Sequence, residues 1–142
     1  MEYTKTGNDI ILRLDKGEEV MTCIYNLAEK LDIKAASLTG LGATDDFSLG
    51  VYDGVSKTYK EKSYKTQHEI SSLVGNITTK DNKPYLHVHA TMASLDKVVG
   101  GHLTKAVISV TAEIFLHLVE AKVDRKLDEK ININLLNFNC GK

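Results

Sequence analysis

The sequence predicts an α+β fold in which one amphipathic helix covers the apolar face of a largely antiparallel sheet. Three observations carry that prediction. Apolar residues recur at helical spacing in one stretch, at Val20, Ile24, Leu27 and Leu31. About seven other segments have strand length and strand composition. With 142 residues, one proline and no repeat or low-complexity tract, the chain fits a single domain over residues 1–142.

The elements follow in chain order. Residues 9–14 (DIILRL) read as a short strand. Asp15 is the expected N-cap of the helix, with Glu18 three positions on to cap in return. The helix is predicted over 17–31, about four turns. Residues 35–42 and 46–52 read as two strands, with Gly40, Gly42 and Gly50 marking bulges or close backbone approach. Asp45-Asp46 between them reads as a turn. Residues 57–65 (KTYKEKSYK) form a charged strand suited to a sheet edge, where lysines discourage further pairing. Residues 69–78 and 85–92 form a hairpin joined through 80–84. A loop over 94–104 leads to a long strand over 106–119, and 131–138 form a last strand.

Two strands have contrasting faces. In 85–92, Leu86, Val88, Ala90 and Met92 face one way, and Tyr85, His87, His89 and Thr91 the other. In 107–119, Ile108, Val110, Ala112, Ile114, Leu116 and Leu118 form an apolar face opposite Ser109, Thr111, Glu113 and His117. The apolar faces are expected under the helix. The polar faces are left for solvent, a cleft or a partner subunit.

Composition narrows the function classes. A hydrophobic fraction of 42% is enough for one core, and the net charge of −1 argues against gripping nucleic acid by charge alone. No apolar run reaches membrane-spanning length. The N-terminus lacks the basic-then-apolar layout of a signal peptide, and cysteines are two and isolated, so a cytoplasmic setting is expected. Cys23 falls on the buried side of the predicted helix and reads as a buried free thiol; Cys140 lies far from it in sequence.

His87 and His89, two apart on a strand, project to the same side. His102 follows Gly100-Gly101 in the loop 94–104, which can fold back beside them if the flanking strands pair. The two glycines would let the backbone turn tightly enough to aim His102. Three converging imidazoles suit a divalent transition metal, most often zinc, with one position left for water or a ligand. The alternative is three histidines hydrogen-bonded or solvated on a polar face, and the residues alone leave both open. A cupin-type site would need a Glu shortly after the pair, where Ala90-Thr91-Met92-Ala93-Ser94 stands. Glu113 reads as a residue that orients a histidine or bonds across an interface. His68 and His117 read as structural. Lys57, Lys60, Lys62 and Lys65 beside Tyr59 and Tyr64 could touch phosphates, but Glu61 among them favours a solvated edge strand. No phosphate-binding glycine loop or nucleophile elbow is present.

Several segments together carry a resemblance. They are Ser37-Leu38-Thr39-Gly40-Leu41-Gly42-Ala43, Leu49-Gly50-Val51-Tyr52-Asp53, Glu69 to Ile77, Leu86-His87-Val88-His89-Ala90, Gly100-Gly101-His102-Leu103, Thr111-Ala112-Glu113-Ile114 and Leu135-Leu136. In this order and spacing the chain resembles the plants-and-prokaryotes-conserved domain, PPC or PCC, in its stand-alone bacterial form. The resemblance implies a sheet packed on a helix, a homotrimer, and a metal site at His87, His89 and His102. In plants the domain follows an AT-hook, and many prokaryotic members carry a DNA-binding label by that association. This sequence contains no AT-hook. Where the plant domain has Gly-Arg-Phe-Glu-Ile-Leu, linked to partner binding, it has Thr66-Gln67-His68-Glu69-Ile70-Ser71.

Three functions are therefore expected to compete. The first is a trimeric metal-binding module with a binding or regulatory role in a DNA-associated context. The second is an enzyme using metal-bound water, for which Glu113 is the nearby carboxylate the strand pattern offers. The third is direct DNA binding through the lysine strand.

Overall fold

The computed structural model describes residues 1–138; Cys140 lies outside the described residues. The chain opens with a hairpin of β1 (Glu2–Thr6) and β2 (Asp9–Asp15), of which only β2 is legible from apolar alternation. Gly7 takes φ +54 in the two-residue turn, a conformation suited to its lack of Cβ. On β2 the residues alternate, with Ile10, Leu12 and Leu14 fully buried.

The helix starts later than expected. The return bond from Asp15 N–H to Glu18 Oε2 forms at 2.8 Å, but it closes a turn and not a helix cap. Gly17 takes φ +90, its N–H donates to Ile108 O at 2.8 Å, and Ile108 N–H donates to Glu18 O at 2.9 Å. Residues 17 and 18 are thus tied to the sheet and unavailable for helical bonding. The helix α1 spans Val20–Lys30 with Glu19 as N-cap, whose carboxylate accepts from the N–H groups of Met21 and Thr22. Glu19 also accepts Ala106 N–H at 3.1 Å, which fastens the helix start to the sheet. Leu31 is the C-cap, not a helical residue. Val20, Ile24, Leu27 and Ala28 form the buried face, while Cys23 is half-buried and burial raises its thiol pKa.

The two strands expected over 35–52 are one, β3 (Ala36–Asp53). Asp45-Asp46 is not a turn. The strand instead shifts register against its neighbour between Gly42 and Thr44, between Thr44 and Asp46, and between Ser48 and Leu49. Asp46 receives Lys65 Nζ at 2.6 Å and Lys105 Nζ at 2.7 Å, which fixes it within the strand.

The remaining strands are β4 (Thr58–Tyr64), β5 (His68–Lys80), β6 (Lys83–Ala93), β7 (Val98–Leu118), β8 (Asp124–Asp128) and β9 (Ile133–Asn137). The β5–β6 turn is tighter than expected: Asp81 and Asn82 both have positive φ, as a two-residue type I′ turn requires. The loop expected over 94–104 shrinks to Ser94–Lys97, because residues from Val98 onward pair with β6. Among the described residues nine strands form one sheet, ordered β1-β2-β7-β3-β5-β8-β9, with β4 along the second half of β3 and β6 joined to both β5 and β7. Since β3 also pairs with β5 and β7, these four strands close on one another. All pairings are antiparallel except the Thr79–Asp124 contact of β5 and β8.

Helix α1 packs on β6 and β7 over one hydrophobic core that includes Phe47, Leu73, Ile77, Val88, Met92 and Leu103. The expected apolar face of β7 holds except at Val110, which is 64% exposed, while Ser109 is buried. Gly42 pairs with Ala112 and Thr44 with Ile108, so β7 spends three residues where β3 spends one, and the bulge turns Val110 outward.

Candidate metal centre

His87 and His89 stand on β6 with their side chains on the face away from the helix. His102 is not on a loop. It lies in β7, directly opposite His89 in the β6–β7 register. Gly100 and Gly101 do not make a turn either; both are paired strand residues, opposite Thr91 and Ala90. What Gly101 permits is close approach, since a Cβ there would sit 2.7 Å from Gly50 O on β3.

The three rings form a triangle with centroid separations of 5.1, 5.3 and 5.5 Å. Each offers a ring nitrogen, and these atoms all lie within 4.8 Å of one another. His87 and His102 are half-buried. Burial is the main cause lowering the His87 pKa, with Arg125 and then His89 adding positive charge nearby. Burial also leads for His102, followed by His87 and His89. Both imidazoles are thereby biased toward the neutral form that donates a lone pair to a metal.

His102 Nδ1 is buried and has no hydrogen-bond partner among the described residues. Such an orphan costs about 1–3 kcal/mol unless something satisfies it, and a metal ion accepting the lone pair would do so. The donor set, three imidazole nitrogens converging to within 4.8 Å of one another, suits zinc or a similar borderline cation.

A row of residues extends across the sheet from this cluster. His102 pairs with Gly50, and Gly50 pairs with Glu61 of β4. Gly50 has no side chain, and the ring of Tyr59 covers it, 3.2 Å from where a Cβ would stand; the Glu61 negative charge acts to raise the His102 pKa against burial. The ring of Tyr59 lies 5.0 Å from that of His102. On the other side, Asn76 of β5 pairs with His87, and its Oδ1 accepts from Arg125 Nη2 at 2.9 Å. Residues read in the sequence only as an edge strand, Tyr59 and Glu61, thus flank the cluster. Their alternation on a strand was visible, but their strand's partner was not. Arg125 and Asn76 carried no sequence signal.

The other candidates separate from the cluster. Glu113 lies eleven positions further along β7, exposed and paired with Arg13 and Leu41. Among the described residues the metal-competent cluster holds the three histidines and no carboxylate. His68 is buried edge-on to Phe47, its Nδ1 donating to Thr66 O at 3.0 Å. His117 meets Asp9 at the surface at 2.8 Å. Of the lysine stretch, Lys60 pairs with Asp53 and Lys65 with Asp46, which removes half of its free charge.

The family model described as the Plants and Prokaryotes Conserved (PCC) domain matches residues 1–120. Among solved structures, the chain is similar to a "putative DNA-binding protein" of Bacteroides thetaiotaomicron, with TM-score 0.93, 27% identity and 96% of each chain covered. It is similar to a metal-containing protein of Archaeoglobus fulgidus, with TM-score 0.87, 32% identity and 96% of this chain and 97% of that one covered. It is also similar to a plant- and prokaryote-conserved (PPC) protein of Pyrococcus horikoshii, with TM-score 0.85, 31% identity and 96% and 95% covered. No curated protein matches the chain. No helix among the described residues is long and apolar enough to cross a membrane.

Proposed function

The chain belongs to the Plants and Prokaryotes Conserved (PCC) family, and from that premise we propose that it is a trimeric metal-binding module with a binding or regulatory role in a DNA-associated context. His87, His89 and His102 are the metal ligands, and zinc is the metal their chemistry favours. The observation that carries this reading is the approach of the three ring nitrogens to within 4.8 Å on one sheet face. The orphaned Nδ1 of His102 supports it. So does the similarity to a protein from Archaeoglobus fulgidus described as metal-containing.

Association of copies is supported by the sheet face that the helix leaves open, and the number three is what the family resemblance implies. Ile11, Phe115, Thr39 and Val74 lie in one row across four strands of that face, and the three apolar members are 40–53% exposed. Leu41 adds a further exposed apolar side chain at 57%. A copy of the chain seated there would remove this surface from water. The DNA context is supported by the similarity to the Bacteroides protein and not by charge. The lysines of β4 are partly paired, and the net charge is −1.

A second reading is a metal-dependent enzyme, favoured by one observation. Glu61 shares a register row with Gly50 and His102 and its charge acts on His102, so its carboxylate is the candidate base for a metal-bound water. Glu113 cannot take that part from its place on β7.

The metal reading is tested by elemental analysis of purified protein and of His87→Ala. One metal per chain in the wild type and loss in the variant is expected. A metal-free wild type, or full retention in His87→Ala, would overturn it.

A further inference from the structure

The hairpin of β8 and β9 crosses the histidine-bearing face. Tyr52 Oη donates to Ile131 O, Asn132 Nδ2 donates to Lys57 O at 3.4 Å, and Asn134 Nδ2 donates to Tyr85 Oη at 3.4 Å. The hairpin therefore touches β3, the turn before β4, and β6. Its one arginine is held with unusual firmness. Arg125 Nε donates to Thr78 Oγ1 at 2.8 Å, Nη1 to Asn134 O at 2.9 Å, and Nη2 to Asn76 Oδ1 at 2.9 Å. The guanidinium carbon stands 4.7 Å from the centre of the Tyr85 ring. Tyr85 precedes His87 by two residues on the same strand face, and Asn76 is the register partner of His87.

These bonds fix the plane of the guanidinium and leave two of its five N–H groups without an acceptor among the described residues. No carboxylate among the described residues forms an ion pair with it, and its unneutralised charge acts on His87 of the cluster. A cation held rigidly on neutral acceptors, next to a site with an open metal position, is arranged for an anion.

We infer that Arg125 forms an oxyanion subsite: a small molecule bearing a carboxylate or phosphate group binds with one oxygen on the metal and another on the free N–H groups of Arg125. The inference rests on the metal reading above and deepens it by naming the ligand's chemistry. Arg125 lies beyond residues 1–120, so the family match does not speak for it.

The test uses the full-length protein loaded with Co²⁺, whose visible absorption reports both metal binding and the fourth ligand. Wild type, Arg125→Gln and Arg125→Lys are titrated with acetate and, separately, with inorganic phosphate. All three proteins are expected to take up cobalt with the same stoichiometry, which also shows that the centre is folded. In the wild type at least one anion should change the cobalt spectrum saturably. Its affinity should fall about tenfold or more in Arg125→Gln, the loss of a charge-assisted pair. Arg125→Lys should lie between the two, because it keeps the charge and loses the fork. Whichever of acetate and phosphate binds more tightly identifies the group. Cobalt uptake with no response to either anion, or an equal response in Arg125→Gln, overturns the subsite and leaves the metal reading standing. Failure to take up cobalt at all overturns both. Should Arg125→Gln fail to fold, Asn76→Ala removes the acceptor that aims Nη2, and the same weakening is expected there; anion affinity unchanged in Asn76→Ala would then overturn the subsite.

Discussion

Gly100 and Gly101 stand side by side before His102, and the structure gives them different duties. Neither has a positive φ, so turn freedom is not what either supplies. A Cβ on Gly101 would sit 2.7 Å from Gly50 O, with Leu49 Cβ at 3.6 Å behind it. Carbon and carbonyl oxygen rest at about 3.3 Å, so β3 and β7 must part by roughly 0.6 Å, and the obstacle is backbone, not a side chain that can swing away. Overpacking of this kind costs about 1–3 kcal/mol. Replacing glycine stiffens the unfolded chain and returns about 0.4–1 kcal/mol. Gly101→Ala should therefore lose about 1–2 kcal/mol, or roughly 3–6 °C in Tm for a domain of this size. The nearest atom to a Cβ on Gly100 is Ala90 O at 3.3 Å. Gly100→Ala should lie within about 0.5 kcal/mol of wild type, the strain and the entropy nearly cancelling. Thermal and urea unfolding followed by circular dichroism, with chelator present to remove any metal contribution, measures both. Equal losses in the two variants, or no loss in Gly101→Ala, would refute the close-approach argument.

Three further outcomes are expected. Glu19→Ala should cost about 1–2 kcal/mol in urea unfolding, because Glu19 accepts from Met21, Thr22 and Ala106, while Asp15→Ala should cost less than half of that; the reverse order would restore the helix start to Asp15. The Asp46 carboxyl is held below its usual 3.8, first by the Lys105 hydrogen bond and then by that of Lys65. A carboxyl depressed in the folded state stabilises above its unfolded pKa and loses that contribution as pH falls through its folded one. The stability gap between wild type and Asp46→Asn should thus be flat above about pH 5 and close below about pH 4; a gap that persists into strong acid contradicts the pairing. Light scattering should find the wild type as a trimer and Phe115→Lys dissociated, since Phe115 is 51% exposed on the open sheet face; a monomeric wild type would defeat the subunit assignment.

What the sequence discloses depends on whether a feature is local. The helix, the alternation on β6 and the β5–β6 hairpin are local signals, and all three are present, with the helix shorter and the hairpin turn tighter than expected. The histidine pair belongs with these, since strand geometry alone puts His87 and His89 on one side. Features set by distant pairing were not legible. β1 carries only Tyr3 as a partly buried apolar residue, so alternation could not reveal an edge strand that exists by pairing with β2. Asp45-Asp46 has the composition of a turn, yet Lys65 and Lys105 hold Asp46 in a continuous strand. The helix start moved because Gly17 and Glu18 bond to Ile108, some ninety residues away. At the site, the local pattern suggests a Gly-Gly turn that aims His102, and no such turn exists. His102 arrives by strand register, and Arg125 arrives on a hairpin whose docking no local pattern announces.

The proposed centre, one metal ion held by three imidazoles, is tested most directly by X-ray absorption at the zinc edge of protein loaded with one equivalent of zinc. A four-coordinate ion is expected, with three imidazole nitrogens, identified by the outer-shell scattering of their rings, and one further light donor, all at about 2.0–2.1 Å. A sulfur donor at about 2.3 Å, or a shell of oxygens without imidazole scattering, would contradict it.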